Sequence, residues 1–296
     1  MSSESATTPL GFVGLGSMGA AIAGNLIEHG YAPVVWNRSQ GPVEALVEKG
    51  ATRADSIGAA FETGTVFSML SNESVIFDLF DEATLAAAPA GAVHVDMATI
   101  GASAATRLAA MHAAAGVGYV AAPVLGRPPA AASGALTILA AGDPALVDRV
   151  RPVLDVIGRR VWDFGADPSV ANVVKIGMNY LLIHAIQAMS ESITLMESRG
   201  IDTELFVELL GDSFFPGLVY TGYGSAIATR TYSPAAFTTE LGFKDLMLAL
   251  DAAKGSGVSF PSESMLRGVF ESALSEGQAE LDWASIAEVT RRRQAH

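Results

Sequence analysis

Lys175 is the residue whose neighbourhood in the sequence points most directly to acid–base chemistry. It lies in a long apolar stretch, with Asn172 three residues before it and Asn179 four residues after it. On a helix these spacings place the three polar side chains on one face. A lysine in such surroundings is costly to bury unless it faces a cleft, and burial favours the neutral amine that suits a proton shuttle. The alternative is a lysine that reaches solvent beside two surface asparagines.

A second lysine, Lys244, also stands on an apolar stripe. It follows Phe237 by seven positions and Leu241 by three, and Leu248 comes four positions later. These spacings place the four side chains on one face of a helix. Either Lys244 reaches solvent or it points into a cleft.

Histidine and cysteine offer no competing chemistry. The chain has no cysteine, which excludes disulfides, zinc–thiolate sites and cysteine nucleophiles. Its five histidines lie at scattered positions without the spacing of metal ligands, so no metal site is expected. His184 lies about half a turn round the helix from Lys175, and we interpret it as a core or interface residue.

A glycine pattern near the start predicts a phosphate-binding turn. An apolar segment runs into G-x-G-x-x-G at Gly14, Gly16 and Gly19. The first glycine permits a tight turn, the second leaves room for a pyrophosphate, and the third lets the next helix pack against the strand. That helix, residues 20–29, presents free N–H groups and the positive end of its dipole to the phosphates. The pattern therefore predicts dinucleotide binding.

The end of the second strand favours NADPH over NADH as the dinucleotide. A free ribose 2′-hydroxyl usually meets Asp or Glu at this point, but the chain has Asn37, Arg38 and Ser39. Arg38 and Ser39 can hold a 2′-phosphate through charge-assisted hydrogen bonds. The alternative is a solvated turn with an incidental arginine.

Two styles of sequence indicate two domains. Short apolar runs alternate with helical patterns up to about residue 165, which predicts a doubly wound parallel sheet of the Rossmann type. The predicted strands are 10–14, 33–36, 65–70, 92–96, 118–124, 135–140 and 160–164. After Asp167 only helical patterns remain, with starts at Asp202, Ser233–Pro234, Ser262 and Asp282. We therefore expect an α/β domain over residues 1–167 and a helical substrate and dimerisation domain over 168–296.

One long helix joins the two domains in this interpretation. It begins at Asp167–Pro168 and continues to Arg199, and Gly200 ends it. Its middle is apolar nearly all round, and such a helix is buried on every side. We expect it to be a spine that a second subunit covers, in an intertwined homodimer.

Composition narrows the remaining function classes. The chain has 31 acidic and 18 basic residues and a net charge of −13, which repels nucleic acid and anionic lipid. No uninterrupted apolar run approaches the roughly 18–20 residues of a membrane span. The start, MSSESATTP, has neither a basic nor an apolar segment, so no secretory signal is expected. We expect a cytoplasmic protein with a small-molecule substrate and neither nucleic acid nor a membrane as partner.

These residues resemble the β-hydroxyacid dehydrogenase family, which includes 3-hydroxyisobutyrate dehydrogenases and glyoxylate or succinic semialdehyde reductases. The similarity covers nearly the whole chain. Residues 11–19 and 36–38 resemble the cofactor signature, 70–72 and 96–99 the cofactor-side loops, and 122–124 with 134–137 the substrate loop and next strand. Lys175 with Asn179 resembles the catalytic lysine and its asparagine, and residues 244–246 the KDL element.

The resemblance assigns a role to each matching residue. It implies Lys175 as acid/base and Asn179 as the residue that orients the substrate. The cofactor-binding residues it implies are Gly14, Leu15, Gly16, Ser17, Met18, Gly19, Asn37, Arg38, Ser39, Leu70, Ser71, Asn72, Thr99 and Lys244. The substrate-loop residues it implies are Pro123, Val124, Leu125, Gly126 and Arg127.

The departures from the family pattern fall in the substrate half. Leu125 replaces a serine, Arg127 a second glycine, Ala98 the serine of Ser-Thr, and Met178 the first asparagine of a pair. Residues 169–171 read Ser-Val-Ala in place of Gly-x-Gly. Either Arg127 replaces the lost donor and binds a carboxylate, or it points to solvent and the pocket is apolar. We favour the apolar pocket.

Three functions follow from this combination. The first is NADPH-dependent hydride transfer to or from a small carbonyl or hydroxy compound. The second is imine reduction on the same scaffold, because the related imine reductases often carry prolines where this chain has Pro128 and Pro129, although they generally lack the lysine. The third is a non-catalytic NADP-binding regulatory protein, and the retained Lys175 and Asn179 argue against it because neither is needed to hold the cofactor.

Overall fold

The computed structural model describes residues 9–292, which form two compact units divided between Lys175 and Ile176. The first eight residues, on which the expectation about a secretory signal rests, lie outside the described part, as do residues 293–296. The first unit is an α/β domain and the second is helical. This architecture confirms the predicted fold class.

The first unit contains a nine-stranded sheet. Its strands are β1 (Gly11–Val13), β2 (Val34–Trp36), β3 (Thr52–Arg53), β4 (Thr65–Ser68), β5 (Val93–Asp96), β6 (Gly118–Ala121), β7 (Val124–Leu125), β8 (Leu136–Gly142) and β9 (Gly158–Asp163). Its helices are α1 (Ser17–Glu28), α2 (Gln40–Val47), α3 (Ile57–Phe61), α4 (Glu73–Leu79), α5 (Glu82–Ala86), α6 (Ala102–Ala114), α7 (Pro128–Ala132) and α8 (Pro144–Ile157).

The strand order places a ligand site at the end of β1. The sheet runs β3-β2-β1-β4-β5-β6-β8-β7, with β9 beside β8, and the first six strands are parallel. The order reverses between β1 and β4, and ligands of open α/β sheets bind at the carboxyl ends of the strands at such a point. The turn that carries the glycine pattern leaves β1 here.

The sheet is not parallel throughout, contrary to the expectation from the alternating pattern. β8 runs antiparallel to both β6 and β7. The short segment from β6 through β7 and α7 to β8 contains no full helical crossover, which a parallel pairing requires. β9 then pairs parallel with β8 after the long helix α8.

A single helix, α9 (Pro168–Ser198), carries the chain from the first unit into the second. Its length and composition are sufficient to cross a membrane, although the expectation from uninterrupted apolar runs excluded such a segment. The mean hydropathy of an 18-residue window of this helix stays high although polar residues interrupt each apolar run. Ala171 belongs to a core of the first unit, whereas Ile183, Ile186 and Ile193 belong to the core of the second.

One face of α9 carries exposed apolar side chains, so the helix is not buried on every side within this chain. Leu181 is 64% exposed and Leu195 is 55% exposed. The expected burial on every side included cover by a second subunit, and it stays a prediction for the face that the single chain leaves exposed.

The second unit is helical. Its further helices are α10 (Thr203–Asp212), α11 (Gly224–Ala228), α12 (Thr239–Gly255), α13 (Glu263–Ser275) and α14 (Ala287–Arg292). The start expected at Ser233–Pro234 moves to Thr239, behind the capping hydroxyl of Thr238. The reason is that Asp282 accepts the backbone N–H groups of Ala236 and Phe237, which holds that segment outside the helix.

Arg291 ties the last helix to the start of the unit. Its buried guanidinium donates to both carboxylate oxygens of Glu197 on α9, and also to Glu288, the hydroxyl of Tyr232 and the carbonyl of Ile227. A run of arginines such as 291–293, which follows the last helical pattern of the sequence, is typical of residues that cap a helix C-terminus. Arg291 is instead a buried ion-pair residue, and Arg293 lies beyond the described residues.

Candidate active site

The glycine turn has the shape that a phosphate site requires. Gly14 follows β1 with φ at +93°, and a Cβ there would collide with the carbonyl of Met69. A Cβ on Gly19 would collide with the carbonyl oxygen of Gly14, so only glycine lets α1 approach the turn. A Cβ on Gly16, by contrast, meets nothing within 4 Å. The exposed surface at Gly16 and Ser17 therefore has room for a pyrophosphate.

The start of α1 supplies unused donors to this surface. Its N-cap residue is Gly16, which has no side chain to cap the first turn. The first N–H groups of a helix have no partner within it and carry the positive end of the dipole. Ser17 is exposed, whereas Leu15 is buried and Met18 packs partly into the core. The backbone of this segment therefore faces solvent while its apolar side chains anchor it.

Asn37 fixes the turn to the end of β2. Its Oδ1 accepts the Leu15 N–H at 3.0 Å, and its Nδ2 donates to the Ser39 carbonyl at 3.0 Å. Gly14 N–H also donates to the carbonyl of Trp36. Asn37 thus shapes the site through hydrogen bonds that the sequence analysis did not foresee.

Arg38 and Ser39 are exposed beside that anchor. Ser39 is the N-cap residue of α2, yet its hydroxyl makes no capping bond. The site therefore presents a guanidinium, a hydroxyl and a helix start to whatever binds next to Asn37. This combination suits a phosphate.

The two cofactor-side loops leave neighbouring strands. Leu70 follows β4, and its Cδ2 lies 2.8 Å from the position of a Cβ on Gly14. Asn72 caps α4 by accepting the Val75 N–H, and it also donates to Ser71. Thr99 follows β5 and is half-buried. The structure therefore brings Leu70 to the phosphate turn and gives Asn72 a capping role.

The substrate loop divides between core and surface. Pro123 and Val124 are buried, and Leu125 is half-buried and packs partly against the core of the first unit. Gly126 has φ at +144°, and Arg127 is exposed as the N-cap residue of α7. The loop thus contains an apolar part and a charged part, as the two open alternatives for this loop assume.

Lys175 and Asn172 lie one turn apart on α9. Lys175 is half-buried. Asn172 is 1% exposed, and within the described residues neither its Oδ1 nor its Nδ2 has a hydrogen-bond partner. A buried amide without partners is costly unless a bound molecule or water satisfies it. Asn172 therefore marks a place for a polar ligand group close to the candidate catalytic lysine on the helix.

Asn179 and Lys244 are brought together through Asp245. Asn179 Nδ2 donates to Asp245 Oδ2 at 2.5 Å, and Lys244 Nζ lies 3.3 Å from Asp245 Oδ1. Asn179 and Asp245 are buried, whereas Lys244 is partly exposed. The sequence analysis gave Asp245 no role. Its position four residues after Leu241 on the apolar stripe of α12 was the available signal.

A buried polar chain in the first unit was also missed. His94 Nδ1 lies 2.8 Å from His112 Nε2, so these two histidines are not scattered. His94 Nε2 lies 2.8 Å from Ser68 Oγ, which lies 3.3 Å from Asp96 Oδ1. Tyr119 donates to Asp96 Oδ2. The signal was a histidine in the centre of the valine-rich strand β5.

Burial shifts the pKa of every titratable member of this chain. It lowers the pKa of His94 well below its usual value and that of His112 to about 4. It raises the pKa of Asp96 to about 6, against the opposite effect of hydrogen bonds from Ala98, Tyr119 and Ser68. The pKa of Tyr119 lies well above its usual value.

The described residues contain no cluster of His, Asp and Glu that could hold a metal ion.

Two family models together match nearly the whole chain. The NAD binding domain of 6-phosphogluconate dehydrogenase matches residues 9–167. The NAD-binding domain of NADP-dependent 3-hydroxyisobutyrate dehydrogenase matches residues 170–290. The open surface at Gly16 agrees with the nicotinamide dinucleotide that both descriptions name.

Similar proteins are oxidoreductases of this kind. An uncharacterized oxidoreductase of Bacillus subtilis is 36% identical, over 93% of this chain and 96% of its own. Glyoxylate/succinic semialdehyde reductase 1 of Arabidopsis thaliana is 30% identical, over 95% of this chain and 98% of its own.

Solved structures agree on the fold. The 3-hydroxyisobutyrate dehydrogenase of Mycobacterium tuberculosis has a TM-score of 0.86 at 24% identity and covers 96% of this chain and 99% of its own. A reductive aminase of Aspergillus terreus in complex with NADPH has a TM-score of 0.64 at 28% identity and covers 96% of this chain and all of its own. On these matches and the phosphate turn, the chain belongs to the β-hydroxyacid dehydrogenase family and is an NAD(P)-dependent oxidoreductase.

Proposed function

We propose that this enzyme transfers hydride between NADPH and a small carbonyl compound, with Lys175 as the acid/base. The observation that carries the proposal is the buried pair of Asn179 and Asp245, one turn along α9 from Lys175. A buried amide that is fixed by a carboxylate suits the orientation of a polar substrate group.

Each residue then has a distinct task. The bound nicotinamide supplies hydride to the carbonyl carbon or accepts it from the alcohol. The Lys175 ammonium donates a proton to the carbonyl oxygen as negative charge develops there, and the neutral amine takes it back in the oxidation. Asn179 orients the substrate, with its amide held by Asp245. The unpartnered amide of Asn172 binds a further polar group of the substrate.

NADPH is the preferred cofactor in this proposal. No carboxylate stands at the end of β2 to accept a ribose diol, and Asn37 is already engaged by Leu15 and Ser39. Exposed Arg38 and the unused hydroxyl of Ser39 support a site for the 2′-phosphate.

The test is an NADPH-oxidation screen over glyoxylate, succinic semialdehyde, methylglyoxal and cyclic imines. With the best carbonyl substrate, Lys175→Ala is expected to lose ~10²–10⁴ in kcat, the usual contribution of a positioned acid or base. NADPH affinity stays unchanged. Lys254→Ala, an exposed lysine on α12, is the matched control. Near-normal turnover of Lys175→Ala would remove the lysine from the mechanism.

Imine reduction is the second candidate. The likeness to the Aspergillus terreus reductive aminase and the apolar Leu125 favour it. An imine that arrives protonated needs no proton from Lys175, so Lys175→Ala would keep its turnover on cyclic imines. NADPH binding without turnover of any substrate would favour the non-catalytic alternative.

A homodimer is part of the same proposal. Besides α9, the second unit exposes Leu205 and Leu209 on α10, and Phe214 and Leu218 after it. A patch of this kind marks an interface in a soluble protein. Light scattering coupled to size exclusion is expected to give twice the chain mass, and Leu205→Glu with Leu209→Glu to give the single-chain mass. A single-chain mass for the unaltered protein would contradict the dimer.

A further inference from the structure

In the buried polar chain of the first unit, donors and acceptors of the histidine hydrogen bonds follow one fixed order. At one end, His112 Nδ1 lies 2.7 Å from the carbonyl of Leu108, which can only accept, so this nitrogen carries a hydrogen. In a neutral imidazole the other nitrogen then accepts. His112 Nε2 must therefore accept from His94 Nδ1, since two lone pairs would repel at 2.8 Å. The neutral His94 ring consequently accepts at Nε2.

The hydroxyl of Ser68 is where this order meets a conflict. Ser68 has one hydrogen, and two acceptors face it: His94 Nε2 at 2.8 Å and Asp96 Oδ1 at 3.3 Å. If Asp96 is ionised and His94 is neutral, one of the two acceptors faces only the lone pairs of Ser68. The ionised chain is therefore one proton short of a complete set of hydrogen bonds.

A single added proton completes the set. On Asp96, the proton is donated to Ser68, which donates to His94. On His94, the ring donates to Ser68, which donates to the Asp96 carboxylate. The two arrangements differ only by proton shifts through Ser68, and both leave the buried chain without net charge. Burial in a low dielectric favours the uncharged chain.

The elements around the chain supply no other charge to its centre. His112 faces it from α6 and Tyr119 from β6. Phe80, which follows α4, stacks on His94 with centroids 3.8 Å apart, and Phe61 of α3 meets the His94 ring edge-on. No other charged group among the described residues contributes to the shifts of His94 or Asp96. The proton balance is thus set within the chain itself.

The chain also reaches the loops that we assign to the cofactor. Ser68 and Asp96 are register partners at the ends of β4 and β5. The segment with Leu70 leaves from Ser68, and Asp96 Oδ1 accepts the Ala98 N–H at 3.0 Å in the turn that leads to Thr99. Asp96 therefore holds the start of that turn and the end of the proton chain at once.

We propose that Asp96 is a positioning residue for the cofactor-side turn, and that a proton shared along Asp96, Ser68 and His94 weakens its hold and thereby the affinity for the dinucleotide. The inference rests on the proposed function only in assigning Thr99 and its turn to the cofactor. Without the proton, the Asp96 carboxylate accepts from the Ala98 N–H, Ser68 and Tyr119 with its full negative charge, and charge-assisted hydrogen bonds of this kind are the stronger ones. When the proton is taken up these bonds weaken, and affinity is then lower.

Calorimetric titration with NADH between pH 5 and 8 tests the link to binding. NADH is the probe because the 2′-phosphate of NADPH itself takes up a proton near pH 6, as phosphate monoesters do. The dissociation constant is expected to fall at least threefold as pH increases through about 6. Asp96→Asn is expected to remove this dependence, and Asp148→Asn, which alters an exposed carboxylate on α8, to keep it. The same pH profile in Asp96→Asn as in the unaltered enzyme would overturn the proposal.

Nuclear magnetic resonance tests the shared proton without any cofactor. The Asp96 carboxyl carbon and the His94 ring nitrogens are expected to respond at the same pH, because coupled groups titrate together. Ser68→Ala is expected to separate the two responses. An Asp96 titration to which His94 does not respond would overturn the shared proton. Failure to bind NADH and NADPH at every pH would instead overturn the proposed function and leave this titration intact.

Discussion

Asp245 is the residue whose replacement separates positioning from proton transfer. Asp245→Ala removes the acceptor that fixes the Asn179 amide, a hydrogen bond to a charged group worth ~1.5–3 kcal/mol. We expect kcat/KM for the best carbonyl substrate to fall by roughly 10–100-fold, mainly through the KM of that substrate, because Lys175 is untouched. Steady-state kinetics measure this effect. Calorimetric titration with NADPH reports separately on the ion pair that Lys244 loses. Asp251→Ala, at an exposed position of α12, is the control, and unchanged KM in Asp245→Ala would show that Asn179 needs no anchor.

We propose that Arg38 is the residue that makes the enzyme prefer NADPH to NADH. Arg38→Ala is expected to weaken NADPH by ~1.5–3 kcal/mol, the scale of a hydrogen bond to a charged group, and to leave NADH unchanged. Isothermal titration with both cofactors measures the difference. Arg159→Ala, on β9, serves as control. Equal affinities for NADPH and NADH in the unaltered enzyme would contradict the preference.

Single residues were predictable where a pattern of types surrounds them. Lys175 and Asn179 stood out as polar residues on an apolar helix, and the three glycines stood out by spacing. Asp245 and Asn37 were harder, because their partners lie 66 and 22 positions away in the chain. Only the fold brings such partners together, so local spacing does not reveal them.

We propose that the β7–α7 segment determines which substrates the pocket accepts. Leu125→Ser and Arg127→Ala are assayed on glyoxylate and on an uncharged aldehyde of similar size. An apolar pocket predicts that Leu125→Ser gains on the acid and that Arg127→Ala changes little, as expected for the exposed Arg127. The exposed part of the Leu125 side chain contributes up to ~1.5–3 kcal/mol if an apolar ligand buries it fully. More than tenfold loss confined to glyoxylate in Arg127→Ala would make this arginine the carboxylate anchor.

Long elements with strong patterns were predictable, and the two-residue strands were not. The predicted helix from Pro168 to Arg199 matches α9 within one residue. β3 and β7 have two residues each, too few to show a period, and they exist through pairing with β2 and β8. The antiparallel direction of β8 likewise comes from chain connection rather than from the strand's own composition.

Acid stability of the whole molecule depends on the buried histidines. Unfolded His94 and His112 take up protons near pH 6.5, whereas burial lowers the pKa of folded His112 to about 4 and that of folded His94 well below its usual value, so stability is lost as pH falls below 6.5. Asp96 acts in the opposite sense, since its folded pKa is about 6 against 3.8 unfolded, and its stabilising contribution is lost as pH rises through 6. Near pH 5 the unfolded chain therefore holds two protons, on His94 and His112, and the folded chain holds one, on Asp96.

These three groups are therefore expected to lower the free energy of unfolding by about 1.4 kcal/mol for each unit by which pH decreases near pH 5. Urea unfolding at pH 7 to 4.5 measures it. His112→Leu removes one proton from the unfolded side and flattens the slope, whereas Asp96→Asn removes the folded proton and steepens it. His29→Gln, at an exposed position, is the control. An identical slope in His112→Leu would exclude His112 as its source.

The hydrogen bonds of Arg291 also determine when the second unit can be completed during translation. The β strands of the first unit are complete once Asp163 has emerged from the ribosome, so that unit has its whole sheet while more than a third of the chain is still to come. The second unit differs, because the guanidinium that joins Glu197 sits 94 positions later in the chain. Its helices can assemble early, but the ion pairs that close the unit form only after Arg291 has followed Glu197 out of the ribosome.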